Sequence, residues 1–187
     1  MAREITQACM IVMQAYLDGK EIEFIRKYPS DSEEWHSSIN PSWDWVTYDY
    51  RIKPLPHFRL PTKDEFNDLI SNFSRWNAEK KGIEILNDEG EILFLPATAR
   101  TGSHGDYWSS TACKNDKGWT YECTFGLYFD SRTKSSNRYC NDCEYSVRLV
   151  SDIPFEDGIR FGNVYWKPEN EEGYFTWNEA NEKFNII

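Results

Sequence analysis

Gly105-Asp106-Tyr107-Trp108-Ser109-Ser110-Thr111 opens the stretch around which the chain is organised, and Tyr145-Ser146-Val147-Arg148-Leu149-Val150 closes it. Between the two, Trp119, Tyr121, Phe125, Tyr128, Phe129 and Tyr139 stand among Ser, Thr, Asn and Asp. This composition suits a recognition surface better than a core. Tyr and Trp supply broad, rigid contact area at low entropy cost, while Ser, Asn and Asp supply adaptable hydrogen bonds. We therefore expect the segment from Thr111 to Asp142 to be displayed to a ligand. Its expected contact residues are Tyr107, Trp119, Tyr121, Tyr128, Arg132, Asn137, Arg138, Tyr139, Asn141 and Asp142. Trp108 and Arg148 are expected to be structural, Arg148 by pairing with a carboxylate near the strand end.

Composition bounds the rest. A chain of 187 residues can bury a proper core, in one main domain with embellishments or in two small ones. Lys and Arg number 21 against 31 Asp and Glu, a formal net charge of -10, which argues against nonspecific binding to nucleic acid or to an anionic membrane. With 16% aromatic residues and frequent Gly, Asn and Ser, a β-rich fold with few helices is expected. No apolar run approaches the roughly 18 residues of a membrane span. Met1-Ala2-Arg3-Glu4-Ile5-Thr6-Gln7 lacks the features of a secretory signal. The expected location is therefore cytoplasmic or virion-associated.

Five cysteines, Cys9, Cys113, Cys123, Cys140 and Cys143, form an odd set in a chain of this size, and reduced thiols are expected. Cys140-Asn141-Asp142-Cys143 is a CxxC that could join Cys113 and Cys123 around zinc. Nine residues separate the first pair, where two to four are usual, so no metal and no cofactor are expected.

Upstream, Ile5, Ala8, Cys9, Val12, Ala15 and Tyr16 have the spacing of an amphipathic helix ended by Asp18-Gly19. Lys20 to Tyr28 alternates as a half-buried strand, a second short strand begins at Trp35-His36, and Trp43 to Lys53 leads into a third. The result is a small helix-and-hairpin unit over residues 1–56. Trp35, Trp43 and Trp45 admit two roles there, the wall of a ligand groove or the core, and in so small a unit the core is expected. His36 and His57 are expected on the surface or in loops. Thr62 and Glu65 form a capping box, and Phe66, Leu69, Ile70, Phe73 and Trp76 follow as one helical apolar stripe. Ile83-Glu84-Ile85-Leu86 and Ile92-Leu93-Phe94-Leu95-Pro96, joined by Asn87-Asp88-Glu89-Gly90, predict a hairpin.

Two resemblances accompany these readings. Asp18-Gly19-Lys20-Glu21-Ile22, then Trp35, then Tyr48-Asp49-Tyr50-Arg51-Ile52-Lys53-Pro54 resemble a short module of bacteriophage-encoded proteins, which implies a phage or prophage source. Arg59-Leu60-Pro61-Thr62 before Glu65-Phe66, Leu93-Phe94-Leu95-Pro96-Ala97, Tyr107-Trp108-Ser109-Ser110, Leu127-Tyr128-Phe129 and Ser146-Val147-Arg148-Leu149-Val150 resemble, in order and spacing, the Fibrobacter succinogenes major paralogous domain over residues 57–152. That resemblance implies an α+β, C-type-lectin-like fold, related to formylglycine-generating enzymes and retroelement-diversified variable proteins. In such a fold the strands and loops between the Trp-Ser-Ser and Ser-Val-Arg motifs carry the binding surface. The calcium-lectin tripeptides Glu-Pro-Asn and Gln-Pro-Asp are absent, and the active-site cysteines of the formylglycine-generating enzymes do not carry over.

Past Val150, Ile159 to Trp166 is expected as one strand bent at Gly162, and Thr176-Trp177-Asn178-Glu179 caps a terminal helix. Residues 153–187 thus form a strand-and-helix extension. Glu169, Glu171 and Glu172 are expected in a solvated loop. The function expected is non-enzymatic binding of a glycan or protein ligand by a variable, receptor-binding type of surface. An alternative is an intracellular phage protein that sequesters a small anionic molecule, such as a nucleotide signal, for anti-defence, through Arg132, Lys134 and Arg138. No nucleic acid and no membrane are expected as partners, and an oligomer is left open.

Overall fold

The computed structural model describes residues 6–27, 34–98, 102–113 and 122–184. Within them the chain is α+β, with three helices and four small antiparallel sheets, and it divides into two units, 1–55 and 56–187.

In the first unit, helix α1 (Gln7–Leu17) starts where the Thr6 hydroxyl accepts from the Cys9 amide. It ends at Asp18-Gly19, where Gly19 adopts φ +80°, a conformation that costs glycine little. Strands β1 (Ile22–Arg26), β2 (His36–Ser38) and β3 (Tyr48–Ile52) make a sheet in the order β2-β1-β3. Register places Glu23 opposite Arg51. The two form a 2.8 Å ion pair, and the Arg51 guanidinium lies 4.1 Å over the Trp35 ring. Among the described residues of this unit, Ala15, Ile22 and Tyr50 are buried. Trp43 and Trp45 are only partly buried, so the expectation that these tryptophans form the core is corrected.

The second unit begins with the capping box, complete in both directions: the Thr62 hydroxyl accepts from the Glu65 amide and the Glu65 carboxylate accepts from the Thr62 amide. Helix α2 (Lys63–Ser71) buries Phe66 and Leu69. Sheet β4-β5-β6 follows, with β4 (Ser74–Asn77), β5 (Gly82–Leu86) and β6 (Ile92–Pro96). Its β5–β6 hairpin turns at Asn87, whose carbonyl oxygen Oδ1 accepts from the amides of Glu89 and Glu91. A second sheet, β7-β8-β9, is built from β7 (His104–Ala112), β8 (Cys123–Asp130) and β9 (Lys134–Cys140). A third, β10-β12-β11, contains β10 (Val150–Ser151), β11 (Ile159–Phe161) and β12 (Val164–Trp166). Helix α3 (Trp177–Phe184) opens with Thr176 and Glu179 exchanging capping hydrogen bonds.

Two cores result. The larger joins Phe66 and Leu69 of α2 to Ile85, Leu93, Leu127, Phe129 and Trp166. The smaller joins Leu60, Trp108, Val147 and Leu149 to Ala180 of α3. At their junction Arg59 and Val150 exchange two 3.0 Å backbone hydrogen bonds.

Four expectations need correction. Helix α2 stops at Ser71 because Asn72 turns extended and its side-chain amide caps the Asp68 and Leu69 carbonyls. Phe73 therefore leaves the helical stripe and stands 70% exposed, while Trp76 reaches the core edge from β4. The span from Ile159 to Trp166 is two strands, reversed at Gly162 (φ +60°) in a two-residue turn. Residues 153–187 are no appendage. Backbone bonds from Lys167, Glu171 and Phe175 to Leu149, Val147 and Tyr145 lay this segment along the closing motif, and Trp166 is wholly buried. Arg148 is buried, but it donates to the Lys167 and Phe94 carbonyls rather than to a carboxylate.

Candidate functional site

Strand register decides which of the expected residues meet. Along β7, β8 and β9, His104 lies opposite Asp130, Asp106 opposite Tyr128 and then Ser135, and Trp108 opposite Gly126 and then Asn137. Side chains alternate across a strand, so these residues share one face with Tyr139. The other face carries Tyr107, Leu127, Phe129 and Ser136, and it is covered by α2, where Ser136 donates to Asn67 at 2.7 Å.

On the first face a polar chain runs across the sheet. The Tyr139 hydroxyl donates to Asp106 Oδ1 at 2.7 Å, and His104 Nε2 lies 3.3 Å from Asp106 Oδ2. Asp106 is only 7% exposed, so its carboxylate depends on these partners for solvation. Burial first, and then the bond to Asp106, hold the Tyr139 phenol well above its usual range, which keeps it a donor. The His104 ring in turn stacks on Tyr128 at 5.7 Å and 29°. The Tyr128 hydroxyl donates to Asp130, whose carboxyl is pushed down to about 2 by the backbone amides of Arg132 and Thr133.

Tyr139 also packs edge-on against Trp108 and Tyr145. Gly126 permits this: a side chain there would meet the Tyr107 carbonyl at 2.5 Å and the Tyr139 ring at 2.9 Å. Trp108 is fixed from its far side by donating to the Phe175 carbonyl at 2.7 Å. One end of the face is thus closed by the smaller core. The other end presents His104, Tyr128, Ser135 and Asn137 with partial or full exposure.

The expected contact residues divide accordingly. Tyr128 and Asn137 sit together on the open end. Tyr139 is on the same face, but its hydroxyl and ring serve the scaffold. Tyr107 is fully buried, donating to the Pro96 carbonyl and accepting from Asn170, so it is corrected from contact residue to core. Burial pushes its phenol up to about 12. Asn141 is corrected likewise: it is 7% exposed and its backbone carbonyl accepts from Trp177 at the start of α3. Arg138 is exposed at the opposite face, its guanidinium 5.6 Å over Phe125, and Asp142 is exposed in the turn after β9. Arg132 is exposed in the β8–β9 turn, and Lys134 spends its ammonium on the Asn72 carbonyl and the Ser74 hydroxyl. Trp119 and Tyr121 lie outside the described residues.

The chain matches no protein-family model, and no curated protein or solved structure at a significant level.

Sequence reading missed His104, Asp106, Asp130 and Ser135. The signal for two of them was present, because His104, Asp106 and Trp108 alternate with Gly105 and Tyr107 at the strand period. All five cysteines are free thiols, and among the described residues no group of three or more His, Cys, Asp or Glu is placed to hold a metal. No described helix is long and apolar enough to cross a membrane.

Proposed function

We propose that the chain is a non-enzymatic binding protein that offers the open end of the β7-β8-β9 face to a glycan or protein ligand. One observation carries this reading: Tyr128, Asn137, Ser135 and His104 come from three adjacent strands, beside a Tyr139–Asp106–His104 network centred on the buried Asp106 carboxylate, which orders the face before any ligand arrives. Binding to a preorganised face loses less side-chain entropy, and a half-exposed Tyr beside an amide suits both sugar rings and protein surfaces. The resemblance to the Fibrobacter succinogenes major paralogous domain supports a C-type-lectin-like arrangement for this unit. The Arg59–Val150 pairing, which brings the two ends of the resembling segment together, agrees with it. The N-terminal resemblance supports a phage or prophage origin for the protein.

The test is binding of the full chain to arrayed glycans and arrayed bacterial surface proteins, with Tyr128→Ala and Asn137→Ala beside the wild type. Selective binding should be lost by about 2 kcal/mol or more in at least one variant, while the stability of the exposed-site variant Asn137→Ala stays within about 0.5 kcal/mol of wild type. Selective binding that neither substitution weakens would place the contact elsewhere, and failure to bind any arrayed surface would count against the reading.

A further inference from the structure

The first unit holds a cavity of about 660 Å³, of the size that encloses small ligands. One wall is α1, and the opposite wall is aromatic: Trp43 and Trp45 lie nearly parallel at 6.1 Å and 18°, and Tyr50 packs against them at 5.3 and 4.8 Å. Tyr50 is anchored by its hydroxyl, which bonds the Ser42 hydroxyl at 3.0 Å and accepts from the Asp44 amide at 3.2 Å. Three charged side chains share the lining. Lys27 is neutralised by Asp49 at 2.9 Å and donates to the Trp45 carbonyl. Asp44 uses Oδ1 to accept from the Val46 and Thr47 amides. The lining therefore carries one negative charge in excess, against a wall of π faces. Trp43 adds a further sign of a built site, since it holds φ +54°, a backbone region bulky residues avoid unless their surroundings enforce it.

We propose that this cavity binds an organic ammonium cation with a methylated nitrogen. Aromatic faces attract a cation through their quadrupole, and they do so best for an ion that is weakly hydrated and needs no hydrogen-bond acceptor. The excess carboxylate selects the same charge and opposes an anion of equal size. Two sources share this chemistry, a free quaternary ammonium compound and a trimethylated lysine on another protein. All residues that line the site belong to the first unit.

Titration of the full chain with choline, followed by tryptophan fluorescence and by the indole N–H resonances of Trp43 and Trp45, tests the proposal. Choline should produce a saturable change, and its neutral isostere 3,3-dimethylbutan-1-ol should bind about tenfold more weakly. Asp44→Asn retains the Oδ1 acceptor that the turn uses, and should weaken choline while leaving the melting temperature near wild type. Trp43→Gly removes a ring but suits the left-handed backbone, so it should fold and lose binding. A trimethyllysine peptide that binds more tightly than choline, with the unmodified lysine peptide much weaker, assigns the site to a protein ligand; equal or weaker peptide binding assigns it to the free cation. No response to either probe, equal binding of the neutral isostere, or unchanged affinity in both variants would overturn the proposal.

Discussion

Tyr139 and Asn137 stand two residues apart on one face of β9, yet they have opposite roles. Removing the Tyr139 hydroxyl leaves the nearly buried Asp106 carboxylate short of a donor. Tyr139→Phe should therefore cost about 1–3 kcal/mol in denaturant titration. Asn137→Ala should stay within about 0.5 kcal/mol. Gly126→Ala belongs with the first, because the new methyl group would press on the Tyr107 carbonyl and the Tyr139 ring; overpacking of this kind typically costs about 1–3 kcal/mol. The polar-aromatic alternation of the strand was legible in the sequence. Which members of it are free was not, because the far end of the face is closed by Phe175 and Trp177, whose register against β7 is a long-range contact. Tyr107 misled for a related reason: a tyrosine whose hydroxyl meets Pro96 and Asn170 inside the core has the same local text as one facing water.

The helix starts were the most legible elements, since a capping box is complete within four residues. The end of α2 was misread because a run of apolar residues continues past it, and the deciding event is the Asn72 side chain turning back onto the helix. Glu65 links capping to pH. Burial raises its carboxyl, but hydrogen bonds from Arg59 and Thr62 outweigh burial and hold the group below its ordinary value of 4.5. A folded-state value below the unfolded one means that the stabilisation is present above about pH 4.5 and is lost as pH falls through the lowered folded value. Thermal melts from pH 7 to pH 3 should show wild type losing its advantage over Glu65→Gln in this acidic window. A stability gap that does not change with pH would show that the carboxylate's charge contributes nothing.

The division at Leu55 and Pro56 sets the expectation for the whole molecule. Residues 56–187 expressed alone should give a dispersed amide spectrum and cooperative melting, because both of their cores are internal to that unit. The same chain cut after Asp152 should not, since Trp166 and Ala180 would leave those cores unfilled. Treatment with reductant and chelator should leave the melting temperature of the full chain unchanged, because its cysteines are unlinked thiols and apolar burial stabilises it. A fall in melting temperature would reveal a staple or ion that contributes to the fold. The burial of Trp166 and Ala180 also imposes an order in time. Residues 1–55 make up the first unit, but the second must wait for residues well over a hundred positions past its own start. At about 5–20 residues per second, synthesis leaves Phe66, Trp108 and their neighbours uncovered for several seconds or more. Nascent chains of this protein should accordingly recruit holding chaperones during that interval, and release them only once α3 has emerged.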